Sequence, residues 1–101
     1  MTRIDALQAV IGSLRDELAA LKGFDIDALA RATDAKEERV GALAGAGSGP
    51  LSAEERALAE EAMRLNETAR VYVNLMSANV RQRLEQLTGQ APVAYAPRAA
   101  A

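Results

Sequence analysis

The chain has 101 residues, half of them hydrophobic but only 3% aromatic, which suits one small domain with a thin aliphatic core. The net charge of -2, from 12 basic and 14 acidic residues, argues against a nucleic-acid-binding protein, and no polybasic cluster suits anionic lipid. Cysteine and histidine are absent, which removes thiol chemistry and the commonest metal ligand and general base. We therefore expect no catalytic residues, no metal and no cofactor.

Neither a signal peptide nor an apolar stretch near the ~18 residues of a membrane span is evident, so we expect a cytoplasmic protein without membrane insertion.

The first predicted helix covers residues 3–22. Its apolar side chains recur in alternating steps of three and four, the heptad stripe of a helix that packs on a partner: Ile4, Leu7, Ile11, Leu14, Leu18 and Leu21. Gly23 is predicted to end this helix in the left-handed conformation.

The second predicted helix covers residues 25–44 and begins at Asp25, a good N-cap residue. Two polar members, Thr33 and Lys36, interrupt its stripe and predict a weak seam: Ile26, Leu29, Thr33, Lys36, Val40 and Leu43. The stretch "AGAGSGP" follows as a flexible linker. It is similar to a phosphate-binding loop, but it follows a helix and lacks the Lys-Ser/Thr ending, so a linker is the better interpretation.

The third predicted helix covers residues 52–88, with Ser52 and Glu55 spaced as a capping box and Gly89 at its end. At ~1.5 Å per residue it spans roughly 54 Å, against roughly 27–30 Å for each of the others. It either runs past a short bundle or pairs with the other helices in turn. Its predicted inward stripe is Leu58, Ala62, Leu65, Ala69, Tyr72, Met76, Val80, Leu84 and Leu87.

A second apolar stripe, Val71, Leu75 and Ala78, lies on the other side of this helix. Helices of the same chain or a homodimer cover it, or another protein docks there; the sequence leaves these alternatives open. Three asparagines at a seam select register and partner, whereas on the surface they mean little: Asn66, Asn74 and Asn79. Whether the helix is broken near Asn74 stays open too.

The predicted fold class is therefore all-α. The predicted architecture is a three-helix antiparallel, coiled-coil-like bundle over residues 1–89 with a long third helix. Residues 90–101 contain two prolines and no periodicity, and we expect a flexible tail.

The chain resembles the FlgN family of flagellar export chaperones over roughly residues 5 to 97. The resemblance is carried by the Leu-rich first helix and by an acidic–apolar run, "FDIDAL", followed by a lysine, Lys36. It extends to the long third helix with an asparagine midway, Asn66 in "RLNE", and to a tyrosine in the tail, Tyr95 in "VAYAP".

The resemblance implies a cytoplasmic chaperone without catalytic activity. Such a protein binds hook–filament junction proteins through the C-terminal part of its last helix and brings them to the type III flagellar export gate, where the tail tyrosine helps docking. The partner-binding residues expected on this basis are Val71, Leu75, Met76, Val80, Leu84, Leu87 and Tyr95. The main alternative is a structural coiled-coil or adaptor protein that self-associates through helix 3.

Overall fold

The computed structural model describes residues 1–89, and every regular element in this range is an α-helix. The helices are α1 (Arg3–Gly23), α2 (Ile26–Ala44) and α3 (Ala53–Thr88). Each bound lies within one residue of the sequence prediction, and the all-α class is confirmed. α3 is continuous through Asn74, so the open question about a break there is answered.

Side-chain caps explain why the helices begin where they do. Ser52 accepts a hydrogen bond from the Glu55 amide at 3.1 Å, and Glu55 accepts one from the Ser52 amide at 2.8 Å, so the predicted capping box is confirmed. Asp25 caps α2 by accepting from the Ala28 amide at 3.0 Å. A further capping box, which the sequence analysis missed, joins Thr2 and Asp5 at the start of α1.

The α1–α2 turn departs from the predicted backbone at Gly23 and Phe24. Phe24, and not Gly23, adopts the left-handed conformation (φ 57°), while its amide donates to the carbonyls of Ala20 and Leu21. Gly23 remains the last residue of α1. The prediction of a left-handed Gly23 was therefore wrong by one position. The left-handed conformation is unfavourable for an aromatic residue such as Phe24.

α1 is the central helix, because both other helices pack against it and contact each other much less. Its predicted heptad stripe is largely buried, but a second row beside that stripe is buried as well: Ala6, Val10, Ser13, Glu17 and Ala20. The clustered core forms where Leu18 and Leu21 meet Ala69 of α3, with Leu29 of α2 packed against them. A heptad stripe describes one interface, whereas α1 has two.

The order of cross-helix contacts gives the directions of the helices. Glu17 accepts from Thr33, whereas the earlier Ala9 accepts from the later Arg39, so α2 runs opposite to α1. Between α1 and α3, later residues of one helix contact later residues of the other: the ion pair Arg3–Glu55, the ion pair Arg15–Glu61, and Lys22 over the ring of Tyr72. α3 therefore runs in the same direction as α1.

The seam between α1 and α2 is polar at its centre. Glu17 is only 4% exposed, accepts a 2.8 Å hydrogen bond from Thr33 and pairs with Lys36 at 3.0 Å. These contacts explain the polar members of the predicted α2 stripe. Ile26 and Val40 of that stripe are exposed, its last member Leu43 is half-buried, and Ala32 is the buried residue of α2.

Candidate partner-binding surface

α3 is longer than the helical hairpin formed by α1 and α2. The α1–α2 turn at the end of that hairpin lies level with Asn79 of α3, because Phe24 and Asn79 line the same groove. Residues 80–88 continue α3 for a further ~13 Å at 1.5 Å per residue. We call this stretch the overhang; the molecule's longest dimension, 57 Å, matches the roughly 54 Å expected for all of α3.

The overhang carries the end of the stripe that was predicted to face inward. Earlier in α3, three residues of this stripe pack against the buried cluster of Leu18, Leu21 and Ala69, namely Leu65, Tyr72 and Met76. At the overhang the same row is uncovered, and Val80, Leu84 and Leu87 are 46%, 56% and 83% exposed. The prediction that these three residues face inward was wrong, because α1 has already ended at Gly23. We call them the overhang face.

The second predicted stripe is also exposed but carries less apolar surface. Val71, Leu75 and Ala78 lie on the exposed side of α3, with Leu75 62% exposed. Further along α3, the same row continues with the exposed residues Gln82 and Gln86. The overhang face therefore has the larger exposed apolar side chains of the two.

A groove lies between the end of the hairpin and the part of α3 just before the overhang. It has a volume of about 250 Å³ and is lined by Leu21, Lys22, Phe24, Tyr72, Leu75, Met76 and Asn79. Phe24 is 58% exposed, and the Lys22 ammonium lies 5.7 Å from the centre of the Tyr72 ring, close enough for a cation–π contact. A ligand on α3 at this level would therefore also touch the α1–α2 turn.

A second groove lies between α2 and α3, since these helices hardly contact each other. Its two stretches, about 310 and 290 Å³, share Lys36 and Asn66. Val40 and Met63 line one stretch, and Val73 lines the other. Val73 is seven residues before Val80 on α3, so this groove leads towards the overhang face.

The residues predicted to bind a partner are placed as follows. Val71, Leu75, Val80, Leu84 and Leu87 are exposed, whereas Met76 is half-buried against the core. Tyr95 lies outside the described residues. The sequence analysis missed Phe24 as part of this region. The signal available in the sequence was an apolar residue in the short connection between α1 and α2.

The three asparagines have different surroundings. Asn66 lines the groove between α2 and α3, and Asn79 lines the groove beside Phe24. Asn74 lines none of these grooves and is exposed. Two of the three amides therefore lie where a docked helix would meet them.

The overhang differs in charge from the rest of the chain. It contains two arginines and one glutamate, whereas residues 1–79 contain nine basic and thirteen acidic side chains. At about 100° per residue, Arg81 and Arg83 fall on opposite sides of the overhang face. Neither arginine forms an ion pair with a residue that the structure describes.

Carboxylates elsewhere are engaged in local contacts. The Arg3 guanidinium, followed by the Ser52 amide, holds the pKa of Glu55 below its ordinary value. Arg70 lowers the pKa of Glu67 in the same way through an exposed ion pair, and the pair raises the pKa of Arg70. These groups cap helices or lie on solvated faces.

Over residues 1–89, no grouping of acidic side chains suits a metal ion. No helix in this range has the length and apolar character needed to cross a membrane. Comparisons of the chain with protein-family models, with curated proteins and with solved structures gave no match. The exposed apolar surface of α3 is thus the feature on which a functional interpretation rests.

Proposed function

We propose that this protein is a cytoplasmic export chaperone of the FlgN type. It holds a terminal helix of a hook–filament junction protein on the C-terminal part of α3 and brings it to the flagellar type III export gate. The observation that carries the proposal is the overhang face, because exposed aliphatic side chains in one helical row suit an amphipathic helix of another protein. The sequence resemblance supplies the identity of that partner.

The test is size-exclusion chromatography with light scattering, on the protein alone and mixed with the C-terminal helical segment of a hook–filament junction protein. We expect a defined complex with one copy of each. A tight dimer that ignores the segment would instead support the structural coiled-coil or adaptor protein that self-associates through α3.

The variant Val80→Glu with Leu84→Glu places two charges on the overhang face. We expect it to weaken segment binding more than tenfold, since buried unpaired carboxylates are costly, and to leave the fold intact because both residues are exposed. The matched control is Gln82→Glu with Gln86→Glu, which adds the same charges at the same spacing on the opposite side of the helix. Equal binding by the two variants would refute the proposed site.

Two further variants test the remaining predicted residues. Val71→Glu with Leu75→Glu should leave the free protein folded and abolish cargo binding. If this variant unfolds or only loses dimerisation, the second stripe is internal or self-paired. Deleting residues 90–101, which contain Tyr95, should spare cargo binding and impair delivery to the gate. Loss of cargo binding on this truncation would contradict the role proposed for the tail.

A further inference from the structure

We infer that the overhang face is built for an amphipathic helix that carries carboxylates along both borders of its apolar stripe. The inference rests on the proposed function to the extent that this face is a site for another protein, and it adds the chemistry of the partner. Its grounds are the placement of Arg81 and Arg83 and the apolar row between them.

The apolar row sets the shape of the partner. Val80, Leu84 and Leu87 follow Met76 at helical spacing, and the row continues the one that packs on α1 higher up. A partner helix lying on this row would occupy the space in which the hairpin would continue if it were longer. Phe24, exposed at the end of the hairpin, would meet the near end of that helix.

The charges select among partners of that shape. Arg81 and Arg83 border the overhang face on its two sides and have no ion-pair partner among residues 1–89. Acidic side chains at the borders of the incoming stripe would pair with them, whereas basic ones would be repelled.

The overhang of a second copy of the chain is a poorer occupant for the same reason. Pairing two overhangs would bring four arginines together with two glutamates, so the assembled interface would keep an excess of positive charge. An acidic helix neutralises this excess.

The probes are two designed peptides of about 18 residues with the same leucine stripe, bordered by glutamates in one and by lysines in the other. Binding to the full chain is measured by fluorescence anisotropy at low and at high salt. We expect the glutamate peptide to bind about tenfold more tightly at low salt, and the difference to shrink at high salt. In the variant Arg81→Glu with Arg83→Glu the preference should invert.

Equal binding of the two peptides, a preference for lysine, or no binding of either would overturn the inference. So would unchanged binding of the glutamate peptide by Val80→Glu with Leu84→Glu, or a wild-type dimer that excludes the peptide. The proposed function fails separately: if the glutamate peptide binds and the junction-protein segment does not, the partner chemistry stands and the chaperone assignment falls. If the segment binds and the chain does not distinguish the two peptides, the chaperone assignment stands and the partner chemistry falls.

Discussion

Lys36 pairs with Glu17 across the α1–α2 seam at 3.0 Å, and the Glu17 side chain is only 6% exposed. Thr33 donates a second hydrogen bond to the same carboxylate. This polar contact lies beside Leu21 and Leu29 in the groove between α2 and α3. Such a contact costs desolvation when it forms, and removing one partner leaves the other poorly solvated.

We predict that Glu17→Ala lowers the free energy of unfolding by about 2 kcal/mol, because Lys36 and Thr33 lose their shared acceptor. The figure is below the usual cost for a fully buried pair, since Lys36 is partly exposed and can rehydrate. Urea unfolding followed by circular dichroism measures the change. The adjacent, exposed Asp16 supplies the control, and Asp16→Ala should stay within about 0.5 kcal/mol of wild type.

The double variant Glu17→Met with Lys36→Met completes this test. It should recover most of the lost stability, because apolar side chains of similar length remove both charges together. A double variant as unstable as Glu17→Ala would mean that packing, and not the unpaired charge, caused the loss.

Phe24 offers a substitution that we expect to stabilise the fold. Its left-handed backbone costs an aromatic residue about 1–2 kcal/mol, and asparagine tolerates the conformation better. Phe24→Asn should therefore raise the free energy of unfolding by about 0.5–1 kcal/mol while weakening partner binding. Phe24→Leu retains the backbone strain and is the control; an equal gain from leucine would show that strain is not the cause.

The overhang face should tolerate the replacement of a leucine by alanine, which the core does not. Leu14 is 2% exposed, so Leu14→Ala should cost about 3 kcal/mol in urea unfolding. Leu84 is 56% exposed, and Leu84→Ala should change the free energy of unfolding by less than about 0.5 kcal/mol. A large cost at Leu84 would indicate that another copy of the chain already covers the overhang face.

Helix positions were predictable from the sequence because their ends depend on local chemistry. The Ser52–Glu55 box, Asp25 and Gly89 act within a few residues of the ends they define, so spacing alone identifies them. Gly89 was predicted to end the third helix, and it does so in the left-handed conformation (φ 73°).

The partners of each helix face were harder to predict because they depend on distant parts of the chain. The buried row of α1 that contains Glu17 becomes visible only when α2 and α3 are both placed against α1. For the same reason the exposure of Val80, Leu84 and Leu87 depends on where α1 ends, at Gly23, which lies about sixty residues earlier in the sequence. The period of α3 predicted a second apolar stripe at Val71 and Leu75 but left open what covers it, and the structure leaves both residues exposed.

The central position of α1 has a consequence for the order of folding. Glu17 finds its α2 partners 16 and 19 residues away, whereas Arg3 and Arg15 find their α3 partners 52 and 46 residues away. Closing the longer loop costs about 1 kcal/mol more in chain entropy. During synthesis α1 can therefore pair with α2 early, but its other side waits until the first half of α3 has left the ribosome.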